Sequence, residues 1–296
     1  MHEERILKPL FFYRDDEMRF TKMHGLGNDY VYVDCREQKI EDPACVAKLV
    51  SDRHFGIGAD GLILILPSDQ ADVRMRMFNA DGSEGQMCGN GIRCVAKYSY
   101  DHGLSKSNPM LVETAAGIKS IKLTLDADGK VATATVDMGK PILDARDIPV
   151  NMRQPHVIEV PIRTAKHAYN TMTCVSMGNP HAVIFVDDIA KVPLEQVGPE
   201  IETNPMFPNR INVHFVQVHS QSEVTMRTWE RGSGVTLACG TGASAVCVAG
   251  AITKRTARVI LAHLPGGDLQ LEWKDNDSVF MTGPAVEVFT GDWPGL

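Results

Sequence analysis

Two stretches of the chain, residues 75–96 (MRMFNADGSEGQMCGNGIRCVA) and 226–247 (MRTWERGSGVTLACGTGASAVC), are copies of one pattern. Aligned without a gap they share Met75/Met226, Arg76/Arg227, Cys88/Cys239, Gly89/Gly240, Gly91/Gly242 and Val95/Val246, each pair 151 positions apart. The same offset carries Gly27-Asn28 onto Gly178-Asn179. A repeat supported at several separate places restricts the chain to two matching halves. Each half owns one cysteine, set in a CGxG turn that leads into an apolar run.

The length of 296 residues suits two domains sharing a cleft, and a hydrophobic content of 44% is ample for packed cores. The formal charge of −7, without any basic stripe, argues against nucleic acid as the main partner. No apolar run approaches the roughly 20 residues that a membrane helix needs. The opening MHEERILKPLFFYRDDE has neither the apolar core nor the small-residue cleavage site of a signal peptide. The expectation is a cytoplasmic protein with a small-molecule partner. Seven cysteines scattered singly make neither a disulfide framework nor a CxxC metal pattern. Cys35, Cys45, Cys94, Cys174 and Cys247 lie in apolar surroundings and read as buried structural thiols. Only Cys88 and Cys239 precede glycine at a helix entry.

Residues 1–17 have no counterpart in the second half and read as an extension. Strands are expected at 19–23 and 30–34 around the turn HGLGND, then a helix opened by Pro43 with Asp42 as its N-cap. Further strands fall at 62–66 and 73–78, followed by the CGNG turn and a helix over about residues 91–102 that Gly103 closes. Short β segments at 111–114, 118–125 and 131–138 complete the half, the last two joined by DADG. The second half runs in the same order, with strands at 173–176 and 182–186, a helix at 189–197, and strands at 213–218 and 224–229. The CGTG turn, a helix over about residues 242–254 and segments at 259–261, 269–273, 279–281 and 286–289 follow. GASAVCVAGAI has no polar face, and a helix apolar all round must be surrounded. The expected fold is therefore α/β (α+β): two pseudo-symmetric domains, each a β layer wrapped around a central helix, with the active site in the inter-domain cleft. The boundaries drawn are 18–140 and 141–284, with 285–296 a terminal strand returning towards the first half.

The first N–H groups of a helix lack internal partners, and with the aligned peptide dipoles they form an anion site. Glycine lets that backbone come close to a ligand. A cysteine there is expected to titrate below its usual value of about 8.5. Two such cradles facing each other grip one carboxylate and put a sulfur on each face of the adjoining carbon. That arrangement suits inversion at an α-carbon: one thiolate removes the proton and the other thiol returns one to the opposite face, while the helix ends hold the enolate charge. No pyridoxal, flavin or metal signature stands out, so no cofactor is expected. Competing readings are two buried scaffold cysteines, a redox pair joining the halves, and a Cys/His hydrolase. The GIG at residues 56–58 lacks the rest of a dinucleotide fingerprint and reads as a tight turn.

MHGLGNDYVYVD, HFGIGADGLI, FNADGSEGQMCGNGIRC, SMGNPH, WERGSGVTLACGTG and LPGGDL together resemble the motif set of the diaminopimelate epimerases, in order, from about Met18 almost to the C-terminus. The resemblance implies cofactor-independent conversion of LL-diaminopimelate to the meso form in lysine and peptidoglycan-precursor synthesis. It implies Cys239 as proton acceptor in the LL-to-meso direction and Cys88 as donor. It implies substrate contacts for Asn28, Asn79, Asn179, Asn212, Glu230 and Arg231, with Gly89, Asn90, Gly240 and Thr241 as the backbone cradle. His181 falls near the reacting centre, where with Glu230 it supports catalysis. Association into a homodimer belongs to the same expectation. Gly61, the repeat partner of Asn212, departs from the pattern, since some family members carry an amide side chain there. The alternatives are a related racemase of proline, hydroxyproline or histidine, and a non-catalytic amino-acid-binding protein on the same scaffold. Asn90, where the proline enzymes usually have histidine, and the Glu230-Arg231 pair favour a long substrate charged at both ends.

Overall fold

The computed structural model describes residues 17–164 and 168–294; the extension expected at residues 1–17 lies almost wholly outside them. The first half runs β1 (Met18–Gly25), β2 (Asn28–Asp34), α1 (Pro43–Ser51), β3 (Gly61–Leu66), β4 (Val73–Asn79), β5 (Glu84–Gly85), α2 (Gly89–Asp101), β6 (Met110–Thr114), β7 (Gly117–Leu125) and β8 (Val131–Asp137). The second runs β9 (Val160–Arg163), β10 (Ala168–Ser176), β11 (Pro180–Phe185), α3 (Leu194–Glu202), β12 (Asn212–Ser220), β13 (Glu223–Glu230), β14 (Gly234–Thr236), α4 (Gly240–Ile252), β15 (Val259–Leu264), β16 (Gly267–Trp273), β17 (Val279–Pro284) and β18 (Val286–Trp293). The offset of 151 holds for both helix pairs: Pro43 to Leu194 at the starts of α1 and α3, and Gly89 to Gly240 at the starts of α2 and α4.

Each half uses one pairing scheme. In the first, β1 pairs antiparallel with β2, β2 parallel with β3, β3 antiparallel with β4, β4 parallel with β6, and β6, β7 and β8 form an antiparallel meander. In the second, β10 to β13 and β15 to β17 repeat these relations. The two parallel steps of each half are those spanned by a helix, as a crossover requires. β17 pairs with β8 and joins the halves, and β18 pairs with β1. All eighteen strands form one continuous sheet.

The sequence pattern explains the layers. β3 reads GLILIL, apolar at every position, because both of its faces are covered. Ile63 and Ile65 join the inner core around α2, while Leu62 and Leu64 join an outer core with Ala47 and Val50 of α1. In the second half Phe215 and Val213 pack outward with Val197 and Ile201 of α3. The inner core is shared: Ile92 and Val95 of α2 and Ala245 and Val246 of α4 belong to one buried cluster. α2 touches β1, β2, β4, β6, β7, β8 and β18, and α4 touches β10, β11, β12, β15, β16 and β17, so both are enclosed as expected.

Three expected helices are corrected. The helix expected at 189–197 is a single 3-10 turn over Ile189–Lys191, followed by α3 from Leu194. Asp188 caps the turn through Ala190 N–H, and Pro193 occupies the N-cap of α3, so one apolar run covers two elements. The central helices begin at Gly89 and Gly240, two residues before the expected starts, because the cysteines themselves are the N-caps.

The halves diverge where the first turn of each central helix meets its sheet. A Cβ on Gly91 would lie 2.7 Å from Ile63 Cδ1, and one on Gly242 only 2.2 Å from the His214 ring. Ile63 and His214 are themselves repeat partners. Gly242→Ala is therefore expected to lose about 1–3 kcal/mol by overpacking, and more than Gly91→Ala, where a flexible methyl can give way. Urea unfolding of the two variants checks the order.

Candidate active site

Cys88 and Cys239 occupy equivalent N-cap positions in extended backbone, with φ/ψ of −129/122 and −128/101. An N-cap side chain lies over the free N–H groups of the first turn. Gly91 N–H accordingly donates to Cys88 Sγ at 3.4 Å, and the Cys88 thiol donates to Asn28 Oδ1 at 3.4 Å. Cys239 Sγ lies 3.7 Å from Thr241 Oγ1. The two helix ends abut. A Cβ on Gly89 would lie 2.9 Å from Met281 Cε and one on Gly240 2.9 Å from Met281 Sδ, so the Met281 side chain fills the gap between them. Asn90 Nδ2 reaches across the halves to Ala238 O at 3.5 Å.

The thiols do not titrate as the helix ends alone predict. Both are pushed above the ordinary cysteine value, chiefly by burial. Backbone N–H groups and the Arg93 charge pull Cys88 back only in part. The Glu230 carboxyl pushes Cys239 higher still, and is itself raised by burial although Thr236 Oγ1 donates to it at 2.6 Å. Removal from water outweighs a few oriented dipoles.

Arg93, missed in the sequence, is fully buried in α2. Its guanidinium donates to Gly89 O at 3.0 Å, to Asn90 Oδ1 at 3.0 Å and to Pro284 O at 3.2 Å, tying the start of α2 to the end of β17. The available signal is an arginine set in the apolar stretch Ile92, Cys94, Val95 and Ala96. Its repeat partner, Ser244, makes the matching bond to Gly240 O at 3.0 Å.

The expected asparagines fall into different settings. Asn28 donates through Nδ2 to Asp60 Oδ2 at 2.8 Å, which leaves Oδ1 towards Cys88. Asn79 donates to Ser83 Oγ at 2.9 Å. Asn212 is buried and clamps backbone, donating to Pro180 O at 2.8 Å and accepting from Arg231 N–H at 3.0 Å. The Arg231 guanidinium donates to Asn209 O at 3.0 Å. At Gly61 a Cβ would sit 2.1 Å from Phe78 O, so the strands approach too closely for any side chain.

Behind Asn179 lies a buried polar chain. His181 Nε2 is 2.9 Å from Asn179 Oδ1, His181 Nδ1 is 2.9 Å from His214 Nε2, and His214 Nδ1 is 3.0 Å from Thr228 Oγ1. Although the sequence groups no metal ligands, the fold brings donor atoms of His181, His214 and Cys239 within 4.8 Å of one another. All four ring nitrogens are already engaged in the chain. Burial holds both histidines neutral, His181 well below the usual value and His214 down to about 3. In the unfolded chain both rings take up protons below about 6.5. Folding stability is therefore expected to be intact above that pH and to fall by about 1.4 kcal/mol per pH unit for each histidine as the pH drops towards 3. Urea titrations between about pH 4 and about pH 7 should show a shallower loss in His214→Ile.

Comparison with known proteins fits this geometry. The sequence profile of the family described as diaminopimelate epimerase matches residues 20–143 and 173–288. Diaminopimelate epimerase of Acetivibrio thermocellus is 55% identical over 276 residues, covering 93% of this chain and 98% of that relative. Its counterpart in Methanococcus maripaludis is 53% identical, covering 93% and 99%. Among solved structures, a phenazine biosynthesis protein of the PhzF family from Bacillus anthracis superposes with a TM-score of 0.69 at 16% identity, covering 94% of this chain and 99% of that one. A hydroxyproline epimerase from Agrobacterium vitis gives 0.64 at 16%, covering 93% and 92%. The structural likenesses show a shared fold, and the profile and sequence identities carry the assignment: the chain belongs to the diaminopimelate epimerase family.

Proposed function

We propose that the protein interconverts LL- and meso-diaminopimelate by a two-thiol acid-base reaction. The observation that carries this reading is the pair of cysteines at equivalent N-caps of two central helices whose first turns abut across Met281. In the LL-to-meso direction Cys239, as thiolate, takes the α-proton, and the electron pair passes into the adjoining carboxylate. Cys88, as thiol, then gives its proton to the opposite face of the carbon. The products are the inverted amino acid, a Cys239 thiol and a Cys88 thiolate, and the reverse reaction exchanges the roles. Gly89, Asn90, Gly240 and Thr241 supply helix-end donors for the enolate charge. Asn28, Asn79, Asn179, Asn212, Glu230 and Arg231 hold the remaining ammonium and carboxylate groups, with the Arg231 guanidinium suited to a carboxylate. Glu230 and the neutral His181 support the reaction beside Cys239.

Both sulfurs must stay reduced, which supports a cytoplasmic setting. β18 pairs only with β1 among the described strands and exposes Val288 and Phe289, which supports association of two copies along that edge. A related proline-type racemase is the second reading.

In deuterated water, LL-diaminopimelate should acquire deuterium at one α-carbon as the meso product forms. A folded, reduced enzyme that gives no exchange with diaminopimelate but exchanges proline or hydroxyproline would establish the second reading instead. Cys88→Ala and Cys239→Ala should each lose at least about hundredfold in turnover. Since burial raises both thiols, kcat/KM should climb as the pH rises from about 6 to about 8.5. A profile that falls over that range contradicts the thiolate mechanism.

A further inference from the structure

The two halves treat their repeat-related asparagines differently. Asn28 has its Nδ2 fixed by Asp60, at 2.8 Å, and turns Oδ1 towards the Cys88 sulfur. Asn179 has its Oδ1 held by His181 Nε2, at 2.9 Å, and its Nδ2 makes no hydrogen bond to the described residues. The positions behind them have diverged as well: Tyr30 is the repeat partner of His181, and Ile63 that of His214. The first half thus lacks the imidazole chain altogether.

The chain in the second half has a definite direction. A carbonyl oxygen only accepts, so His181 Nε2 carries the proton it gives to Asn179 Oδ1. In a neutral ring Nδ1 is then an acceptor, and His214 Nε2–H donates to it. His214 Nδ1 in turn accepts from the Thr228 hydroxyl. Both rings are completely buried, where a charged imidazole is strongly disfavoured. Each bond in the series fixes the next, and the last fixes the amide of Asn179.

We propose that His214 and Thr228 are positioning residues that hold Asn179 with its NH2 facing the cleft, so that the two equivalent asparagines present opposite ends to a substrate. Asn28 offers an acceptor, matched to an ammonium. Asn179 offers a donor, matched to a carboxylate oxygen. The pseudo-symmetric cleft thereby becomes polar along one direction, and a zwitterionic amino acid fits it one way round. Neither His214 nor Thr228 touches substrate, and each acts through His181. The kinetic consequence rests on the epimerase reading, whereas the proton arrangement does not.

Two measurements test this. In wild-type protein labelled with 15N-histidine, long-range proton–nitrogen spectra at neutral pH should show both rings neutral and protonated at Nε2. Protonation of either ring at Nδ1, or an imidazolium, reverses or breaks the series and overturns the proposal, whether or not the protein epimerises diaminopimelate. In the kinetic arm, His214→Ile borrows the residue that the first half carries at this position and so keeps an apolar packing partner for the helix. His214→Ile and Thr228→Val should each raise KM by roughly ten- to hundredfold, the value of a hydrogen bond to a charged group, with a much smaller effect on kcat. Thr228→Ser should restore most of the KM lost in Thr228→Val. A wild-type KM in folded Thr228→Val, or failure of serine to rescue, overturns the proposal. Absence of any turnover by wild-type enzyme, with the predicted histidine spectrum, would discard the epimerase reading alone.

Discussion

The site depends on two helices being made to begin at one place. α2 and α4 are each enclosed by their own half of the sheet, so their directions are fixed by burial, and β8 pairing with β17 brings their first turns together. Met281 already fills the space between Gly89 and Gly240, and a Cβ at either residue would come within 2.9 Å of its side-chain end and push it aside. The same absence of side chains leaves the first-turn N–H groups open for the proposed anion cradle.

Bringing the helix ends together also buries Cys239 and half-buries Cys88, and burial opposes the ionisation that a base requires. Both thiols are raised, and Glu230 beside Cys239 adds to the effect. The only fully buried cation near the helix ends, among the described residues, is Arg93, whose charge eases the ionisation of Cys88. A substrate brings an ammonium group of its own to the cleft. On the proposed mechanism the thiolate is best stabilised beside that ammonium, and the burial that raises the thiols also strengthens charge interactions at the helix ends.

The repeat made much of this legible from sequence. Residues 75–96 and 226–247 gave the two cysteines, the glycine turns and the enclosed central helices, because a whole-circumference apolar helix has one physical solution. The helix at α3 was misplaced because Ile189, Val192 and Val197 look continuous, and only the geometry of Pro193 separates a 3-10 turn from the helix. The thiol shifts run opposite to the direction that the turns imply, since a turn motif reveals dipoles but not the depth of burial. Arg93 stands out as a charge among Ile92, Cys94, Val95 and Ala96, yet its partner Pro284 O lies 191 residues away along the chain. The imidazole chain was illegible for a similar reason: His181, His214 and Thr228 belong to three different strands and meet only through register.

Duplication also sets a limit that the differences between the halves answer. A two-fold symmetric cleft offers identical environments to both sides of a bound molecule, but the α-carbon of an amino acid carries four different groups. Sulfurs and helix ends can remain paired, because the proton leaves one face and returns to the other. The groups that hold ammonium and carboxylate cannot. Several repeat partners behind the proposed cleft differ: Tyr30 against His181, Ile63 against His214, Arg93 against Ser244, and Gly61 against Asn212. Each exchange alters hydrogen bonding or charge behind the cleft while the Cys-Gly turns stay alike. On the proposed mechanism, pseudo-symmetry suits the sulfurs and helix ends, whereas the groups meeting the ammonium and carboxylate need these differences.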